Sequence, residues 1–124
     1  MNPIVAVGIG GALGSIARYW LSTAVNRHFP HAFPWGTLAV NVAGCLLLGV
    51  IVGLVEHRQL FSPGTRLFLT VGIMGGFTTF STFGWETFDL MRSNYHWLAM
   101  GNVAANVIIG TAAVIAGWYA VKLL

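Results

Sequence analysis

Charged side chains are rare in this sequence, which has six Lys or Arg and three Asp or Glu among 124 residues. A soluble domain of this size needs a larger charged surface to remain in solution, so that class of protein is excluded. The few basic residues are isolated from one another, which argues against a nucleic-acid partner. Hydrophobic residues make up 56% of the chain, and we expect membrane lipid to surround them.

Cysteine is nearly absent as well. Cys45 stands alone, so the chain cannot form an internal disulfide or a cysteine-based metal cluster. The sequence has no recognisable nucleophile with a base beside it and no phosphate-binding loop, so we do not expect an enzyme. The first apolar block lacks a basic segment before it, and Arg18 lies towards its far end. We therefore interpret this block as a retained helix rather than a secretory signal.

The sequence consists largely of long apolar blocks. Blocks of about 20 apolar residues are typical of transmembrane helices. The predicted fold class is an all-α integral membrane protein with one four-helix transmembrane domain over residues 1–124. The four spans are predicted at about residues 4–24, 35–55, 66–91 and 97–121.

The basic residues are divided evenly between the two sides of the membrane. Four spans place both termini on one side, with Arg58, Arg66 and Lys122; Arg27, Arg92 and, close by, Arg18 lie opposite. An excess of basic residues in cytoplasmic loops normally sets the orientation of a membrane protein. Either another factor orients this chain, or it inserts both ways and pairs with an inverted copy of itself, as inverted repeats do within larger transporters.

The third span is unusual for a lipid-facing helix. Gly75 and Gly76 are followed by Thr78 and Thr79 near its middle, and both residue types weaken a helix. We predict that this helix is broken near the midplane, where unwound backbone must be buried or face a water-filled cavity. Such breaks mark ion sites in transporters, and the freed carbonyls suit a hard cation. A packing kink is the alternative interpretation.

Three asparagines fall inside the predicted spans, where polar groups are costly. Asn41 lies in the second span, and Asn102 and Asn106, four residues apart, share a face of the fourth. Their amides either bind the helices to one another or donate hydrogen bonds to an anion. An amide holds an anion without a fixed positive charge, so the anion can also leave, as conduction requires.

Aromatic and charged residues near the predicted break each allow two interpretations. Phe80 and Phe83 share a helix face and are either core residues or, through their positive ring edges, part of an anion's path. Arg18 either extends to the membrane interface or draws anions into a vestibule. Glu86 lies well past the break and either pairs with an arginine or ends the helix.

Three segments of the sequence resemble the Fluc (CrcB) family of fluoride channels. They are "GGALGSIARYW" at residues 10–20, "NVAG" at residues 41–44 and "GGFTTFSTF" at residues 75–83. The third is the most specific of the three, and the resemblance extends over essentially the whole chain, including the four-span layout.

The resemblance implies an antiparallel, dual-topology homodimer with two fluoride pathways. It also implies a structural sodium ion at the dimer interface, held by the backbone carbonyls of Gly75 and Thr78. Asn41 matches the family's pore asparagine. Phe80 and Phe83 match paired phenylalanines whose ring edges meet the ion, with one from each subunit in each pathway. The other pathway residues that it implies are Arg18, Ser81, Thr82 and Glu86, together with Asn102 and Asn106 in a span that varies within the family.

The function implied by the resemblance is passive, fluoride-selective export from the cytoplasm, through the inner membrane of a bacterium. One alternative is a small proton-coupled exporter of toxic cations, which also uses four spans in an inverted dimer. Such an exporter needs an acidic residue deep in a span, and the first span has none. Another alternative is a non-transporting assembly subunit whose glycines serve packing alone.

Overall fold

The computed structural model describes residues 2–29 and 32–124, and all regular structure in these residues is helical. Four segments are long and apolar enough to cross a membrane, which confirms the prediction of an all-helical protein with four spans. The helices are α1 (Pro3–His28), α2 (Trp35–Arg58), α3 (residues 63–77), α4 (Phe80–Arg92) and α5 (His96–Leu123). Helices α3 and α4 together form the third crossing.

Polar side chains cap the first turns of α1 and α3. The side chain of Asn2 accepts a hydrogen bond from the backbone N–H of Ile4 at 2.9 Å, at the start of α1. Ser62 caps α3 in the same way, and Pro63 occupies its first turn, where proline is tolerated. The third crossing therefore begins at residue 63 rather than at the predicted residue 66, because the Ser-Pro-Gly segment starts the helix as well as ending the preceding turn.

Two stretches of the helices are wound with the wider π-helical repeat. They are Phe68–Met74 within α3 and Ala105–Ile109 within α5. A π-helical turn shifts the register of the side chains that follow it, and such turns are frequent at functional sites. In this protein one lies just before the break in the third crossing, and the other includes Asn106.

Glycines allow the closest approaches between helices. A Cβ atom on Gly10 of α1 would lie 2.8 Å from the carbonyl oxygen of Phe68 and 2.9 Å from the Cα of Gly72 in α3. A Cβ atom on Gly117 of α5 would lie 2.9 Å from the backbone nitrogen of Val50 in α2. Because the backbones nearly touch, α1 packs on α3 and α2 packs on α5 without intervening side chains, as small residues allow in membrane helices.

The core of the chain is small, and its outer surface is largely apolar. Val40, Met74 and Phe77 form the buried cluster where α2 meets the end of α3. By contrast, large apolar side chains such as Ile4, Trp20 and Ile108 are mostly exposed. An exposed apolar surface of this extent is appropriate for contact with lipid or with another protein.

Candidate functional site

The third crossing is interrupted between Phe77 and Phe80. Thr78 has ψ of 158° and Thr79 has φ of −148° and ψ of 115°, so both residues are extended. The hydroxyl of Thr79 caps the new helix α4, accepting a hydrogen bond from the N–H of Thr82 at 3.3 Å. The break lies near the middle of the segment Pro63–Arg92, which agrees with the prediction from its glycines and threonines.

The side-chain amide of Asn41 pairs with the extended backbone. Its Oδ1 accepts from the N–H of Thr79 at 2.9 Å, and its Nδ2 donates to the carbonyl of Thr79 at 3.1 Å. The amide thus replaces a peptide group as the partner of both backbone polar atoms of Thr79, which is itself buried. This pairing satisfies backbone groups that would be costly if left unbonded inside a membrane.

The three predicted asparagines are joined in one network. Asn41 also donates from Nδ2 to Oδ1 of Asn106 at 2.9 Å. Asn106 in turn donates from its Nδ2 to the backbone oxygen of Asn102 at 2.9 Å and to Oδ1 of Asn102 at 3.0 Å. We call Asn41, Asn106 and Asn102 the asparagine network. It links α2, the break and α5, so the amides bind helices together, which was one of the two interpretations of the sequence.

The N–H donors of Asn41 and Asn106 are all used in this conformation. A side-chain amide has two N–H donors. Those of Asn41 go to Thr79 and Asn106, and those of Asn106 go to Asn102. An anion that receives a hydrogen bond from Asn41 must therefore take the place of one of its present acceptors.

An open cavity of about 380 Å³ lies beside the break and collects several of the predicted residues. Its lining includes the predicted site residues Asn41, Gly75, Thr78, Phe80, Phe83 and Asn106. The remaining lining comes largely from apolar side chains of α2 and α3. Asn102 is fully buried behind the cavity, and it reaches the cavity only through Asn106.

The two phenylalanines differ in their surroundings. Phe80 is 84% exposed, whereas Phe83 is only 9% exposed and packs within the subunit. Their ring centroids are 5.5 Å apart, with an angle of 53° between the ring planes. Both rings line the same cavity, so the chain presents one exposed ring and one buried ring to it.

Ser81, Thr82 and Arg18 do not line that cavity. Ser81 and Thr82 lie on the exposed side of the first turn of α4, and Thr82 is bonded to Thr79 through its hydroxyl at 2.9 Å. Arg18 lies on α1, and its Nη1 is 3.4 Å from the carbonyl oxygen of Thr78, to which it donates a long hydrogen bond. The structure thus places the guanidinium of Arg18 against the break.

Glu86 lies six residues beyond Phe80 along α4 and does not line the cavity. Its Oε1 accepts a hydrogen bond from the hydroxyl of Thr37 at 2.8 Å, and its Oε2 is buried without a partner among the described residues. Together with Asn26 and Asp89 it lines a second cavity of about 240 Å³. Neither interpretation of the sequence, an arginine pair or a helix end, describes this contact with Thr37.

The break frees hydrogen-bonding capacity on the backbone carbonyls of Gly75 and Thr78. In a continuous helix the carbonyl of Gly75 would accept from the N–H of Thr79, but that N–H donates to Asn41 instead. The carbonyl of Thr78 accepts, among the described residues, the long bond from Arg18. Both oxygens therefore have capacity to spare, and carbonyl oxygens are suitable ligands for hard cations.

Thr87 is a polar residue of this region that the sequence did not single out. Its hydroxyl accepts a hydrogen bond from Nδ2 of Asn102 at 2.9 Å and donates to the carbonyl of Phe83 at 2.8 Å. A signal for it existed in the sequence, because Thr87 follows Phe83 by four residues and so lies on the same face of the helix.

These features define a multi-pass α-helical membrane protein with a broken crossing that borders a largely apolar cavity containing a few amide and hydroxyl groups. The sequence matches the family described as "CrcB-like protein, Camphor Resistance (CrcB)" over residues 5–118. The chain belongs to this family, as the resemblance predicted.

Curated relatives match over nearly their full length. One from Geobacter sulfurreducens is 47% identical over 116 residues, which cover 91% of this chain and 94% of the relative. One from Nitrobacter winogradskyi is 42% identical over 121 residues, with 98% and 96% covered, and one from Chloroflexus aurantiacus is 42% identical over 118 residues, with 94% and 93% covered. Each is named "Fluoride-specific ion channel FluC". The expectation that the chain is not an enzyme is confirmed by its place in this family of ion channels.

Proposed function

We propose that this protein is a fluoride-selective passive channel. The observation that carries the proposal is that Asn41, Phe80 and Phe83 line one open cavity at the break of a membrane-spanning helix. The names of relatives that are 42% to 47% identical support fluoride as the transported ion. Arg18, Ser81, Thr82, Glu86 and the asparagine network complete the proposed pathway and its supports.

Fluoride is small and strongly hydrated, so a pathway must replace its water with other hydrogen-bond donors. Asn41 supplies such a donor when its Nδ2 exchanges the oxygen of Asn106, now 2.9 Å away, for the ion. A hydrogen bond to a charged group is worth about 1.5–3 kcal/mol, against about 1 kcal/mol for a neutral pair. The exchange is therefore favourable but modest, which allows the ion to be released as conduction requires.

The rings of Phe80 and Phe83 serve the same purpose without N–H or O–H groups. A phenyl ring carries partial positive charge at its edge, and an edge directed at fluoride attracts it without holding it as a lysine would. Because Phe80 is 84% exposed, its ring edge is available to a pathway that a second subunit completes.

The working unit in this proposal is an antiparallel, dual-topology homodimer with two pathways. The even division of basic residues gives neither orientation an advantage in insertion. The cavity beside the break is open at the surface of the chain, and an inverted copy supplies the missing wall. Each pathway then takes one phenylalanine from each subunit.

A structural sodium ion at the dimer interface forms part of the proposal. The carbonyls of Gly75 and Thr78 would hold it, because the break leaves both with hydrogen-bonding capacity to spare. Bound there, the ion would supply positive charge that offsets the exposed carbonyl dipoles of two breaks.

Passive flow through such a channel removes fluoride from a cell. In the inner membrane of a bacterium the interior is negative, and moving one anion outward gains about 2.3 kcal/mol per 100 mV. Fluoride that enters as the neutral acid ionises inside, and the channel lets the anion leave along this gradient.

The proton-coupled cation exporter is not favoured by the geometry. It requires a carboxylate in the cavity where the cargo binds. The acid nearest to the break among the described residues is Glu86, and it is bonded to Thr37 at 2.8 Å and lies outside the cavity that Asn41 lines.

The test is fluoride efflux from liposomes that contain the purified protein, followed with a fluoride-selective electrode. We expect fast, electrogenic efflux that does not depend on a proton gradient, and little efflux of chloride. Liposomes without protein give the background. Efflux that strictly requires a proton gradient would indicate a coupled carrier, and the absence of efflux would indicate an assembly subunit.

A further inference from the structure

Two further hydrogen bonds, through Thr87, connect the asparagine network to α4. The Nδ2 of Asn102 donates to the hydroxyl of Thr87 at 2.9 Å, and this hydroxyl donates to the carbonyl of Phe83 at 2.8 Å. Asn102 has no exposed surface, so no water reaches it to replace a lost partner. The network therefore runs without interruption from the backbone of Thr79 at the break to the backbone of Phe83 in α4.

The direction of every hydrogen bond in this network is fixed by its two ends. A backbone N–H can only donate and a backbone carbonyl can only accept. The N–H of Thr79 therefore requires Oδ1 of Asn41, and the carbonyl of Phe83 requires the hydroxyl hydrogen of Thr87. Between these ends each Nδ2 faces the oxygen of the next residue, and hydrogen bonds that point the same way strengthen one another.

We propose that Thr87 and Asn102 are positioning residues that hold in place Oδ1 of Asn106, the acceptor that an ion must displace from the Nδ2 of Asn41. The consequence for fluoride flux rests on the proposed function, in which that Nδ2 meets the ion. Neither residue lines the cavity, so both act through Asn106. The same hydroxyl of Thr87 also bonds the backbone of Phe83, and it thereby links the positions of the amide and of the buried ring.

The loss of the Thr87 hydroxyl would disturb the network step by step. The Nδ2 of Asn102 would lose its acceptor in a site that water does not reach. Rotating the Asn102 amide by about 180° would not remove this cost. The Nδ2 of Asn102 would then face the Nδ2 of Asn106, which is also a donor. The bonds to Thr79 still orient the amide of Asn41, and the bond to the backbone oxygen of Asn102 still orients that of Asn106. The Asn102 side chain would shift, however, and with it Oδ1 of Asn106 and the hydrogen bond from Asn41.

The experiment compares Thr87→Val, which replaces the hydroxyl with a methyl group of similar size, with Thr87→Ser, which keeps the hydroxyl. Fluoride efflux is measured for each in liposomes. The side-chain amide signals of Asn41, Asn106 and Asn102 are recorded by NMR in detergent after selective 15N-asparagine labelling. Thr111→Val is the matched control, since Thr111 is an exposed threonine of α5.

We expect Thr87→Val to slow efflux by roughly five- to thirtyfold, the effect of one or two lost interactions. We also expect it to shift the amide signal of Asn41, which Thr87 does not contact. Thr87→Ser should restore both, and Thr111→Val should change neither. If Thr87→Val does not fold, Thr87→Ala removes the same hydroxyl with no added bulk and is compared with Thr87→Ser in its place.

An unmoved Asn41 signal in the variant without the hydroxyl would overturn the proposal, whether or not efflux falls, because a local packing defect alone leaves that signal in place. Failure of the proposed function is a separate result. It would appear as the absence of fluoride efflux from the wild-type protein, while the amide signals would still decide whether Thr87 holds the hydrogen bond between Asn41 and Asn106 in place.

Discussion

Asn41 and Thr79, which are 38 residues apart in the sequence, are paired through two hydrogen bonds between a side-chain amide and a backbone peptide unit. The pairing satisfies backbone groups of the third crossing at the point where its helical hydrogen bonds are interrupted. It also uses the donor that an anion would need, so the stability of the break and the access of the ion depend on the same amide.

Asn41→Asp is expected to abolish fluoride efflux. A carboxylate keeps an acceptor for the N–H of Thr79 but has no hydrogens for the carbonyl of Thr79 or for Asn106, and its negative charge repels an anion. The measurement is efflux from liposomes at matched protein content. Asn94→Asp, which adds the same charge in an exposed loop, should conduct normally, and normal conduction by Asn41→Asp would remove Asn41 from the pathway.

Phe80→Ile and Phe83→Ile are each expected to lower fluoride efflux while the dimer persists, because isoleucine has no positive ring edge. The two should differ in stability. Phe83 is 9% exposed and Phe80 is 84% exposed on the single chain, so Phe83→Ile should lower the free energy of unfolding by about 1–2 kcal/mol and Phe80→Ile by less.

Phe88→Ile is the control for these two substitutions, since Phe88 is exposed and does not line the cavity. Efflux and unfolding in denaturant are the two measurements. If Phe80→Ile and Phe83→Ile conduct as well as Phe88→Ile, the rings have no part in conduction.

Added lysines are expected to trap the chain in one orientation, because lysine favours the cytoplasmic side. The pair Leu60→Lys and Gly64→Lys adds charge on the side of the termini, and the pair Ser93→Lys and Tyr95→Lys adds it on the opposite side; all four positions are exposed. Each double variant alone should be inactive, and the two expressed together should conduct. A double variant that assembles and conducts alone would contradict the dual-topology dimer.

Gly10→Ala is expected to destabilise the subunit by about 1–3 kcal/mol, the usual cost of overpacking. Its Cβ would lie 2.8 Å from the carbonyl oxygen of Phe68, and backbone atoms cannot move aside as a side chain can. Gly8→Ala, on the same helix with no atom within 4 Å of its Cβ, should be neutral or slightly stabilising. Unfolding of the two variants in denaturant tests this, and equal stability would mean that α1 and α3 do not approach as closely as described.

Replacement of sodium by a large organic cation is expected to weaken the dimer. The carbonyls of Gly75 and Thr78 would then lack the ion that offsets their dipoles, and a bulky cation cannot enter a site made of backbone oxygens. The fraction of dimer at low protein concentration, measured by cross-linking in detergent, reports this without any transport assay. A dimer that is equally stable in both salts would rule out a structural sodium ion.

The class of the protein and the position of its break were determined by the sequence alone. Length and apolarity of a segment are properties of consecutive residues, so four spans follow from composition. The Gly75 to Thr79 stretch likewise weakens its own helix, wherever that helix packs. The start of the third crossing at Pro63 was missed because the same Ser-Pro-Gly segment is compatible with a turn and with a helix cap.

Only the tertiary structure decided what the polar groups do. Asn41 meets Asn106 across 65 residues of sequence, and no local pattern specifies whether an amide faces another amide or a cavity. The same holds for Thr87, Arg18 and Glu86, whose partners lie on other helices or at the break. Hydrogen bonds are short and directional, so the packing of helices to within a few ångströms selects the partner of each polar group.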